Sequence, residues 1–89
     1  MIDEEFTVSE QTLLCAFDYA IGRKTYVVGP VVRDLQDNAE TMSQKARQYM
    51  IKELNRRWQI NALGHDQDRE QWVRLLHQLN EIESESQLL

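Results

Sequence analysis

The sequence predicts an all-α protein, a small bundle of about four helices, on three observations. Apolar residues recur at spacings of three and four over most of the chain, the period of a half-buried helix. Start signals of the Ser/Thr-x-x-Glu/Gln type stand in front of two of those stretches. One proline and three glycines in 89 residues leave too little turn chemistry for a many-stranded β-fold.

The first helix is expected at 8–21. Thr7-Val8-Ser9-Glu10 has the form of a capping box, in which the Thr hydroxyl and the Glu carboxylate each satisfy an orphan backbone N–H. Leu13, Leu14, Phe17, Ala20 and Ile21 then share one face, and Gly22 offers the left-handed residue that commonly ends a helix. Phe6 is placed to staple the helix start. Arg23 to Val28 reads as an extended connector, because Thr25-Tyr26-Val27-Val28 is β-branched and aromatic but has no partner strand in view.

Pro30 suits a first helical position, since its missing N–H would be an orphan there anyway. A short second helix is expected at 30–37, burying Val31, Val32 and Leu35, with a break at Asn38-Ala39-Glu40. Thr41-Met42-Ser43-Gln44 is a second capping box and opens the longest helix, 41–62. Met42, Ala46, Met50, Leu54 and Trp58 step along it by four, widened by Tyr49, Ile51 and Ala62, and Gly64 closes it. The last helix, 68–82, starts at Asp68-Arg69-Glu70-Gln71 and carries the seam Trp72, Leu75, Leu76, Leu79 and Ile82. Both tryptophans are expected in the core. Residues 1–89 thus form one domain, with frayed termini at about 1–6 and 83–89.

Several functions are excluded on inventory. Cys15 has no partner for an internal disulfide, and inside an amphipathic helix it reads as an inert small hydrophobe. His65 and His77 have no nucleophile elbow to serve, and no stretch completes a phosphate-cradling G-x-x-x-x-G-K-[ST] loop. Asp66-x-Asp68-x-Glu70 has the start of a calcium loop, but the sixth and twelfth positions hold Gln71 and His77 where Gly and Glu are needed. Helix-start acids explain those carboxylates through the dipole. No enzyme, cofactor or metal site is expected. No apolar run approaches the roughly 20 residues of a membrane span. Met1-Ile2-Asp3-Glu4-Glu5 is the reverse of a signal peptide's basic start. A cytoplasmic location is expected.

What remains is binding, and two surfaces are candidates. Arg23, Lys24, Thr25 and Tyr26 form a polar-aromatic cluster in the connector, with the residue types that dominate protein interfaces. The competing reading folds Tyr26 back on the first helix and sets the two cations against that helix's terminal carbonyls. The second candidate is the long helix. Five cations, Lys45, Arg47, Lys52, Arg56 and Arg57, face the single anion Glu53 there, so the rest of the chain carries −9 while the whole carries −5. The short helix, break and long helix also follow the order of a helix-turn-helix. Lys45, Arg47, Lys52 and Arg56 would then be the nucleic-acid contacts. Internal neutralisation of these cations is the plainer alternative.

The stretch Phe17-Asp18-Tyr19-Ala20-Ile21-Gly22-Arg23-Lys24-Thr25-Tyr26-Val27-Val28-Gly29 resembles a group of small bacteriophage and prophage proteins with a Tyr-Ala-Leu-Gly-Arg-x-Thr-Tyr signature. Leu63-Gly64 and Asp68 to Trp72 resemble that group's later part. Ile21 replaces its Leu, and Lys24 stands where Arg is frequent. The resemblance implies a phage-type accessory protein that binds a host or phage protein, with inhibition of a host defence system as one such role. It brings no catalytic residue and no cofactor. DNA is the alternative partner, and a homodimer sharing the Trp72–Ile82 seam is the alternative to burying that seam within one chain.

Overall fold

A computed structural model describes residues 6–21, 28–64 and 66–87. It contains four helices, α1 (Val8–Ala20), α2 (Val28–Asn38), α3 (Gln44–Gln59) and α4 (Asp66–Gln87), and no strand among the described residues. The fold is a small all-α bundle. None of its helices is long and apolar enough to cross a membrane among the described residues.

α1 starts as the capping box requires. The Thr7 hydroxyl accepts from the Glu10 N–H at 3.1 Å, and the Glu10 carboxylate accepts from the Thr7 N–H at 3.0 Å. Phe6 is buried rather than frayed, and Gln11 of α1 donates its side-chain amide to the Phe6 carbonyl at 2.9 Å. The Phe6 ring meets Tyr49 of α3 edge-on, with centroids 6.2 Å apart. The Gly22 stop and the extended connector fall on residues 22–27, outside the described residues, apart from Val28. That residue is buried and already helical, so α2 begins two residues before Pro30.

The capping box expected at Thr41 does not form. Thr41 donates its hydroxyl back to the Asn38 carbonyl, and Ser43 is the N-cap of α3, accepting from the Ala46 N–H at 3.2 Å. The turn before it is packed, with Ala39 and Met42 both buried. α3 also ends earlier than expected, at Gln59. Asn61 takes a left-handed φ of 56°, its N–H donates to the Trp58 carbonyl, and the Ala62 N–H donates to the Arg57 carbonyl at 2.7 Å. That 6→1 and 5→2 pair is a Schellman stop with Asn in the place glycine usually takes. Gly64, at φ 88°, belongs to the link into α4 instead. α4 begins at Asp66 rather than Asp68, which places both acids in its first turn, and it continues through the expected frayed tail to Gln87.

α4 lies against both α2 and α3, and α1 lies against the same two helices. α2 and α3 therefore occupy opposite corners and do not pack on each other. The Gln78 amide donates to the Gln36 carbonyl at 3.0 Å and Gly29 approaches Gln71, so α2 and α4 run side by side in the same sense. α3 and α4 are antiparallel. The core forms where the four apolar faces meet: Leu14 and Phe17 of α1, Val32 and Leu35 of α2, Met50 and Leu54 of α3, and Trp72, Leu75 and Leu79 of α4. Phe17 and Trp72 cross one diagonal edge-to-face, with centroids 5.6 Å apart and planes at 86°. Such contacts add about 0.5–1.5 kcal/mol to the burial itself.

One core expectation fails. Trp72 is fully buried, but Trp58 is 52% exposed. A step of four residues overshoots a helical turn by about 40°, so three steps from Ala46 carry Trp58 roughly 120° around α3 and off the core face. Leu63, beyond the Schellman turn, is the buried side chain at that end.

Candidate functional site

The predicted cations of α3 do not act as one surface. Arg47 is buried, and its Nε donates to Glu83 Oε1 at 2.8 Å. Its Nη1 donates to the carbonyls of Ala39, at 3.1 Å, and Met42. This guanidinium ties the turn before α3 to the far end of α4. It is removed from any phosphate. Arg56 and Arg57 both reach Glu53, through Nη2 at 2.6 Å and Nε at 2.8 Å. The Arg56 guanidinium, and after it that of Arg57, holds the Glu53 carboxyl below its ordinary range. Lys45 and Lys52 are exposed on α3. The helix-turn-helix order is present in the chain, but the packed helix pair that would present α3 to a groove is not, because α2 and α3 sit across a diagonal. Internal neutralisation accounts for most of the basic cluster.

The same end of the bundle contains a contact that sequence spacing does not reveal. Glu10 is buried, and besides Thr7 its carboxylate accepts the N–H of Ser43, 33 residues away. The N-cap of α3 is thereby joined to the capping box of α1. The Ser43 and Thr7 N–H groups hold the Glu10 carboxyl below its ordinary value of 4.5. Tyr49 lies beside this joint. It donates its hydroxyl to Asp18 at 2.8 Å, and burial, then Asp18, pushes its pKa up to about 12. Its ring meets both Phe6 and Phe17 edge-on.

The opposite end of the α3–α4 pair is open. Trp58 lines a groove of about 570 Å³ with Asp66, Gln67, Arg69, Glu70 and Val73. Ile60, the residue capping α3, is 60% exposed beside the same turn. Asn61, whose backbone makes the Schellman stop, also accepts from Arg69 Nη1 at 3.3 Å, which fixes that guanidinium at the groove wall. The remaining charges there, Asp66 and Glu70, are acidic. The arrangement offers an indole face and a valine in a negative surround. An apolar side chain flanked by a cation would fill it.

Sequence reasoning missed this corner because it assigned Trp58 to the core. The signal that could have found it is rotational drift along the Ala46–Met50–Leu54–Trp58 row. The other predicted cluster, Arg23, Lys24, Thr25 and Tyr26, lies outside the described residues. Cys15 is exposed on α1 rather than packed, and His77 is exposed on α4. No family model matches the chain, and neither a curated protein nor a solved structure does so.

Proposed function

We propose that this chain is a small accessory protein, of phage or prophage type, that works in the cytoplasm by binding another protein through the Trp58 corner. The single observation carrying the reading is a half-exposed tryptophan at the wall of an open groove, in a molecule whose other indole is fully buried. Trp58 does not stand alone on the surface but at the wall of a groove, and Trp is among the residues most enriched in interface hot spots. The partner segment is one with a protruding apolar side chain next to Lys or Arg, matching Val73 and Trp58 on one side and Asp66 and Glu70 on the other. The acidic balance of the chain, −5 overall, favours such a partner and opposes nucleic acid. The likeness of residues 17–29 to small phage proteins supports the accessory role and makes a host defence protein a sensible first target class. Arg23, Lys24, Thr25 and Tyr26 are proposed as a second contact.

The experiment is capture from a host lysate with four forms: wild type, Trp58→Ala, Arg23→Glu/Tyr26→Ala, and Val8→Ser as an exposed control on α1. A partner retained by wild type and Val8→Ser but lost by Trp58→Ala is the expected result. Equal recovery by all four forms would remove both proposed surfaces.

A further inference from the structure

A second groove runs along the other side of α4, between it and α2. It has a volume of about 380 Å³, and its wall includes Arg33 and Gln36 of α2 and Gln67, Gln71 and Arg74 of α4. The arginines here differ from the rest. Arg47 is held by Glu83, Arg56 and Arg57 by Glu53, and Arg69 by Asn61. Arg33 and Arg74 are the two described arginines with neither a carboxylate nor a hydrogen-bond partner, and both line this one groove. The three glutamine side chains are unengaged as well. Gly29 lies against the Gln71 amide, where a Cβ would stand in ordinary contact with its Oε1 at 3.4 Å. Glu70 is the only carboxylate in the wall, so the groove carries a net positive charge inside an acidic molecule.

We infer that this groove binds a small organic anion, with Arg33 and Arg74 clasping its phosphate or carboxylate and the glutamine amides reading its uncharged part. Two planar guanidiniums on facing helices suit an oxyanion, which each can meet with paired N–H donors. Carboxamides both donate and accept, which suits a polar body such as a nucleobase. The volume falls in the range of small-ligand sites. The two grooves share Gln67 and Glu70 in their walls, but the anion clasp rests on Arg33 and Arg74, which do not line the Trp58 groove, so either reading can fail without the other.

The test is a calorimetric titration at low salt with three probes, adenosine monophosphate, citrate and adenosine, followed by side-chain amide NMR of Gln36 and Gln71. At least one of the two anions should bind with a Kd of about 1 mM or tighter. It should move both amide signals, while adenosine does not bind. Which anion binds tells phosphate from carboxylate. Arg33→Gln and Arg74→Gln should each weaken binding about tenfold, the scale of a lost charge-assisted hydrogen bond. Both arginines are exposed and unpartnered, so melting temperatures should stay at the wild-type value and show that the fold is kept. No binding of either anion, binding of adenosine as tight as that of its monophosphate, or unchanged binding by both variants would overturn the inference.

Discussion

The two ends of the α3–α4 pair are built on opposite principles. At the end where α3 begins and α4 finishes, the buried polar groups are largely matched, with Glu83 Oε2 left without a partner among the described residues. Arg47 meets Glu83 and two turn carbonyls, Ser43 caps α3 while handing its own N–H to Glu10, and Tyr49 closes on Asp18. At the end where α3 finishes and α4 begins, a tryptophan and an isoleucine face solvent and a groove lies open. The difference shows where folding energy is concentrated and which surface remains for binding. Arg47, the cation of α3 that reads as a contact, is spent on Glu83 at the closed end, so a local run of cations along the chain says little about where a partner binds.

The largest effect is expected at the closed end. Removing Arg47 strands Glu83 in a buried place, and breaking such a pair costs about 3–5 kcal/mol. Urea unfolding of Arg47→Ala should show that loss, whereas Arg47→Met combined with Glu83→Leu should recover most of it. A loss under about 1 kcal/mol in the single variant would mean that the pair is not buried in solution.

Trp72 comes next. Trp72→Ala should cost about 3–5 kcal/mol through lost burial and the cavity left behind. Its indole N–H is buried without an acceptor among the described residues. Trp72→Phe discards that unmet donor along with some volume, so it should cost far less than the alanine change. Equal losses in the two variants would indicate a hydrogen bond to that N–H.

Glu10 sharpens the comparison through pH. Its folded-state pKa lies below the ordinary 4.5, so the stabilisation is complete above that value and is lost as pH falls through the lower, folded one. Glu10→Gln should cost about 1–2 kcal/mol at neutral pH, and the gap to wild type should shrink in acid. A gap that stays constant down to acid unfolding would remove the Ser43 link.

The smallest stability effect belongs to the open end. Trp58→Ala should unfold within about 1 kcal/mol of wild type, as exposed substitutions do. The contrast between Trp58 and Trp72 under the same substitution is the sharpest expression of the difference between the ends.

Much of the bundle is legible in the chain. Four helices, the Thr7–Glu10 box and the Trp72–Leu79 seam follow from local spacing, because capping and amphipathicity are written within one or two turns. The boundaries are less so. Thr41 and Ser43 are both acceptable caps by residue type, and Ser43 is the one used where Met42 packs into the core and Glu10 takes the Ser43 N–H. Asn61 stops α3 because the left-handed residue need not be glycine. The site was less legible still. Arg47 looks like a surface cation until Glu83 is placed beside it, and that partner lies 36 residues away. Trp58 looks like a core residue until the helical drift is followed to its end.

Acrylamide quenching of the Trp72→Phe protein, in which Trp58 is the sole indole, is the most direct measurement of the open end. Strong quenching and solvent-like emission at high dilution are predicted, with both reversed when the partner is added. Shielded, blue-shifted emission from the free protein would contradict the central claim, because it would mean that Trp58 is already covered and the groove is not open for binding.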